Sequence, residues 1–132
     1  MILVELALIV QVVCTGTGSA ASREFVLDRP VADRPWRLSY RDREHPKWIR
    51  VTLDGAEPVV GERTATLKYR NANGGRQVDL DAAPGHSRLD VYVDYGLDVN
   101  IDPDLDPDVD RMNTGGPLTS LECRVTRTPD AP

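Results

Sequence analysis

A chain of 132 residues with 40% hydrophobic and 28% charged side chains has the size and composition of one globular domain. These values exclude a disordered tract and a bundle of membrane helices. The net charge is −5 and the basic residues alternate with acidic ones, which argues against a nucleic-acid-binding surface.

The N-terminal segment has two interpretations. The run from Ile2 to Cys14 is apolar except for Glu5 and Gln11, and small residues follow it up to Ser22. This pattern is typical of a secretory signal peptide, and the run is too short to span a bilayer. We therefore predict a signal peptide over residues 1–22. The processed protein would be extracytoplasmic (periplasmic or secreted) and not an integral membrane protein.

The alternative for the same segment is a first β-strand. Even positions from 2 to 14 are apolar, and both polar residues fall on odd positions, as in a strand that is nearly buried. In this interpretation Cys14 can form a disulfide with Cys123 if the compartment is oxidising.

After residue 22 the chain alternates between short apolar-periodic segments and turn signals. The predicted strands are Arg23–Leu27, Trp36–Arg41, Trp48–Leu53, Val59–Val60, the two arms of a hairpin over residues 64–81, Leu89–Ile101 and Leu121–Val125. The hairpin turns at Asn71–Gly75, which is rich in residues that tolerate positive φ.

The longest predicted strand is Leu89–Ile101. Its odd positions are apolar or aromatic, and Asp90, Asp94 and Asp98 lie on the other face. We expect Val91 and Val93 to point into the core. Residues 90–110 contain eight Asp and no Lys or Arg, so the solvent face of this strand is acidic.

These elements predict an all-β fold. Seven to eight short strands without a convincing helix after residue 22 indicate a small antiparallel β-sandwich, of immunoglobulin-like general type, in one domain over residues 23–132. The Cys–Trp–Cys spacing of true immunoglobulin domains is absent.

The Asp-rich segment after the long strand is the candidate metal site. Hard carboxylate oxygens suit Ca²⁺. However, Pro107 falls where a helix–loop–helix calcium site needs Gly, and Pro103 and Pro107 favour an extended chain that would separate the carboxylates. We expect a solvated acidic loop and no cofactor, with Ca²⁺ as the alternative. The candidate ligands are Asp102, Asp104, Asp106, Asp108 and Asp110.

The two histidines, His45 and His86, lie in predicted loops beside Pro or Gly, and no Gly-x-Ser-x-Gly sequence is present. We predict no catalytic residues, and a hydrolase that uses Asp with His45 or His86 is an alternative. Trp36 and Trp48 are predicted core residues. Exposed beside Tyr92, they would instead form a stacking platform for sugars.

The function that follows from these features is a non-catalytic binding or structural role for a small secreted or periplasmic sandwich. The partner, a protein or a glycan, is not identified by the sequence. A Ca²⁺-stabilised adhesion or carbohydrate-binding module is the alternative within the binding class.

Overall fold

The computed structural model describes residues 8–98 and 105–129, which form two antiparallel sheets packed as a small β-sandwich. In spatial order, the first sheet contains β4 (Ile49–Leu53), β3 (Trp36–Arg41), β2 (Glu24–Asp28), β1 (Leu8–Gly16) and β9 (Leu121–Pro129). The second contains β5 (Val59–Val60), β6 (Ala65–Arg70), β7 (Arg76–Ala82) and β8 (Arg88–Val93). The predicted sandwich is confirmed, with nine strands in the described residues; the immunoglobulin-like type stays a prediction.

Successive strands are neighbours in both sheets until the chain reaches β9. This strand returns from the second sheet to pair with β1 over its whole length, from Leu8↔Pro129 to Gly16↔Leu121. Because β1 also pairs with β2, residues 8–16 lie inside the first sheet. The structure therefore has the strand of the second interpretation at residues 8–16. The prediction of a signal peptide over residues 1–22 stays a prediction.

The core lies between the sheets and is built from the period-2 patterns of the sequence. In the first sheet Val12, Leu27, Leu38 and Val51 form one buried row across four strands. In the second, Leu67, Leu80 and Leu89 form a facing row. Each row places one apolar side chain per strand on the inner face, as alternation requires.

A disulfide joins Cys14 of β1 to Cys123 of β9. The two residues are direct cross-strand partners, and both side chains are buried. The bond closes a sequence separation of 109 residues and ties the last strand to the first.

The predicted strand Leu89–Ile101 is wrong beyond Val93. Val91 and Val93 are buried as expected, but β8 ends at Val93 and a helical turn, α1 (Tyr95–Asp98), follows. The carboxylate of Asp94 accepts a hydrogen bond from the Leu97 N–H at 3.2 Å, which stabilises the start of this turn. Local capping thus overrides the alternation, and residues 99–101 lie outside the described part.

Candidate functional site

The described part of the Asp-rich segment folds onto the core. Leu105, Val109 and Met112 are buried, and residues Val109–Met112 form a 3₁₀ turn. The expectation of an extended segment is therefore wrong for this part. The spacing i, i+4, i+7 of the three apolar residues is a helical signal that could have predicted it.

The carboxylates of this segment point to different partners. Asp106 Oδ1 accepts the Asp108 N–H at 2.9 Å, Asp108 Oδ2 lies 3.2 Å from His45 Nε2, and Asp110 Oδ1 accepts the Tyr95 N–H at 3.1 Å. Within residues 8–98 and 105–129, no three metal-ligating side chains come together. Asp102 and Asp104 lie outside the described residues, so the calcium site stays a prediction.

His45 connects the loop after β3 to the Asp-rich segment. Its Nδ1 lies 3.0 Å from the Lys47 carbonyl, which can only accept, so Nδ1 is the donor. Its Nε2 faces Asp108, so both ring nitrogens are engaged in structural contacts. His86 lies exposed in the loop between β7 and β8, and the Ser87 hydroxyl beside it donates to the Ala83 carbonyl and accepts the Cys123 N–H.

The carboxylate of Asp42 stabilises the loop after β3, which also contains His45. This carboxylate accepts the Tyr40 hydroxyl at 2.7 Å and the His45 N–H at 2.6 Å, and Arg111 lies 3.5 Å away. Burial alone would raise the pKa of Asp42, but these hydrogen bonds and the Arg111 charge outweigh it and lower the pKa. The group is therefore a charged structural anchor between β3 and the Asp-rich segment.

The outer face of the second sheet is charged but not uniformly acidic. Asp79 of β7 lies directly beside Asp90 of β8, and Arg70 of β6 binds Asp79 through two hydrogen bonds of 3.1 and 2.8 Å. The Arg70 hydrogen bonds hold the pKa of Asp79 below its usual value and raise the pKa of Arg70. The charges of Lys68 on β6 and Arg88 on β8 also lower the pKa of Asp79, so basic residues of both neighbouring strands offset the acidic ones.

A groove of about 590 Å³ runs along this outer face. Its floor is the sheet, and its lining includes Glu57, Val59, Lys68, Asp81, Arg88 and Asp90. Within the described residues, Lys68 and Arg88 have no carboxylate within 4.0 Å. We call this surface the outer groove.

Sequence reasoning did not single out the residues of the outer groove as a site. The available signal was the hairpin over residues 64–81, whose solvent positions carry charges of both signs. Alternation places these charges on one face, but the cross-strand register that puts Lys68 beside Asp79 is visible only in the fold.

The aromatic residues do not form one platform. Trp36 is buried with the Arg29 guanidinium 5.3 Å from its ring centre, and Trp48 is half-buried with Arg41 at 4.3 Å. Tyr92 is exposed on the other sheet. The core prediction therefore holds for Trp36, whereas Trp48 lies at the surface under an arginine.

Comparison with known proteins finds no matching family model, no similar curated protein and no similar solved structure. None of the described helices is long and apolar enough to cross a membrane.

Proposed function

We propose that this chain is an extracytoplasmic β-sandwich with a non-catalytic binding role, and that the outer groove binds its partner, a protein or a glycan. The observation that carries the proposal is the presence of two cations, Lys68 and Arg88, without ion-pair partners among the described residues, on the wall of a groove.

The groove is suited to binding because its floor is rigid. Lys68 and Arg88 lie on β6 and β8, which are both paired with β7, so the spacing of their backbones is set before a ligand arrives. The volume of about 590 Å³ falls in the range of ligand-binding clefts. Asp81 and Glu57 on the same walls add acceptors for hydroxyl or amino groups.

The disulfide supports the extracytoplasmic part of the proposal. Buried structural disulfides persist in oxidising compartments and are rare in the cytosol. The Cys14–Cys123 bond lies in the core of the first sheet, where it acts on the fold rather than on a ligand.

The test uses a glycan array and a library of short peptides against the purified chain. For any ligand found, replacing Lys68 and Arg88 with Ala should weaken binding about tenfold or more, because both charges contact the ligand. Arg50→Ala, a change at an exposed arginine on the other sheet, is the matched control. A ligand that binds the double variant and the control equally well would refute the assignment of the site.

A further inference from the structure

The outer edges of β8 and β9 differ in whether their backbone groups have hydrogen-bond partners. The free edge of β8 is covered by the chain after the Asp-rich segment: Leu89 and Leu118 exchange both backbone hydrogen bonds, and the Thr114 N–H donates to the Val91 carbonyl. The side-chain amide of Asn113 extends this cover by accepting the N–H of Val93 and donating to its carbonyl. This edge is closed to further strands.

The edge of β9 away from β1 is open from Val125 to Arg127. The Cys123 N–H bonds to the Ser87 hydroxyl, so it points away from β1. In an antiparallel ladder, amides two and four residues further point the same way, which directs the N–H groups of Val125 and Arg127 outward. Among the described residues these two amides have no acceptor.

A groove of about 250 Å³ follows this open edge, with Arg63, Glu122, Arg124 and Val125 in its lining. The Arg127 side chain donates to the carbonyls of Gly61 and Glu62, which fixes the loop that carries Arg63. Neither Arg63 nor Arg124 has a carboxylate within 4.0 Å in the described part of the chain.

We propose that the open edge of β9 binds an extended, carboxylate-bearing segment of a partner protein by strand addition, with Arg63 and Arg124 contacting its carboxylates. Strand addition satisfies the outward amides, and guanidinium groups bind carboxylates through paired hydrogen bonds. The site is separate from the outer groove and does not depend on it.

Charge favours this occupant over a second copy of the chain. Self-pairing centred on Arg127 would put Val125 opposite Pro129, which has no N–H to donate. If two β9 edges instead paired antiparallel with Val125 opposite Val125 or Arg127, Arg124 would lie opposite Thr126 or Thr128 of the second copy. The arginine would then lack a carboxylate, which an acidic segment supplies.

The test measures binding of a capped peptide of alternating valine and glutamate by fluorescence polarisation, beside the same peptide with lysine in place of glutamate. We expect the glutamate peptide to bind at least about tenfold more tightly. Methylating the amides that face β9 should abolish binding, whereas methylating the alternate amides should not. Binding should also slow the hydrogen exchange of the Val125 and Arg127 amides.

Charge reversal completes the test. Replacing Arg63 and Arg124, both exposed, with Glu should reverse the preference between the two peptides, and Arg50→Glu is the matched control. The proposal is overturned if neither peptide binds, if both methylated peptides bind equally, or if the double variant keeps the preference. Dimerisation in sedimentation velocity that Val125→Pro abolishes would assign the edge to a second copy and also overturn it.

Discussion

At the scale of single residues, Gly74 is a position where the backbone conformation favours glycine. It has a φ of +73° in the turn between β6 and β7, and an added Cβ would meet nothing within 4 Å. The cost of a side chain is therefore backbone strain alone. Gly74→Val should lower the free energy of unfolding by about 1–2 kcal/mol in urea denaturation, whereas Ala72→Val in the same exposed turn should change it little. Equal midpoints for the two variants would contradict this assignment.

Asp42 is the residue whose protonation should affect stability in acid. Its pKa is lowered in the folded state, so the unfolded chain takes up the proton first as the pH falls. Its stabilising contribution is complete above the unfolded value of about 3.9 and is lost as the pH falls through the folded pKa. The difference in melting temperature between the wild type and Asp42→Asn should therefore be larger at neutral pH than in strong acid. A difference that does not change with pH would exclude a role for the carboxylate charge.

The conformation or burial of a residue can be predicted from the sequence where a single local signal determines it. The turn at Asn71–Gly75 and the burial of Val91 and Val93 follow from glycine tolerance and alternation, and both are confirmed. The pairing of His45 with Asp108 joins residues 63 positions apart, which no local pattern can predict.

At the scale of elements, β1 decides whether the first sheet is continuous. It lies between β2 and β9, contributes the buried Val12 and Cys14, and gives β9 its only strand neighbour among the described residues. A chain of residues 23–132 should therefore lack cooperative thermal unfolding, whereas the full chain should unfold cooperatively. If the shorter chain melts cooperatively with an unchanged β-sheet circular dichroism spectrum, the signal-peptide interpretation of residues 1–22 is favoured.

Two elements were not predicted from the sequence, one because a capping contact overrides a periodic pattern and one because composition was weighed above the spacing of its apolar residues. The alternation continues past Val93, yet Asp94 caps a helical turn there. The Asp-rich segment is anchored by Leu105, Val109 and Met112, although its composition suggested a solvated loop. The acidic residues led to the prediction of a solvated loop, but the burial of the three apolar residues determines where the segment lies.

This segment should respond to ions by screening rather than by specific binding. Its described carboxylates have separate local partners, so no cation among them would gain three ligands. NaCl and CaCl₂ at matched ionic strength should therefore raise the melting temperature by about the same amount. A saturable shift at sub-millimolar Ca²⁺ that disappears when Asp104, Asp106 and Asp108 are replaced by Asn would instead establish the calcium-stabilised module.

At the scale of the whole molecule, the two sheets are connected by a chain that leaves the first sheet after β4 and returns only at β9. The return is secured by nine residue pairs with β1 and by the Cys14–Cys123 bond. The first and last strands are therefore linked as one unit: loss of β9 would expose an edge of β1, and loss of β1 would expose an edge of β2 and leave β9 without a neighbour among the described strands.

The disulfide should make stability depend on the redox state. It closes a loop with a sequence separation of 109, and loops of this length correspond to about 2–5 kcal/mol of stabilisation through restriction of the unfolded chain. Replacing both cysteines with Ala should lower the free energy of unfolding by this amount, and adding a reductant should destabilise the wild type but not the variant. The variant serves as the control because it has no thiol on which the reductant can act. Equal denaturation midpoints for oxidised and reduced wild type would show that the β1–β9 ladder alone holds the last strand. The disulfide would then give no reason to place the protein in an oxidising compartment.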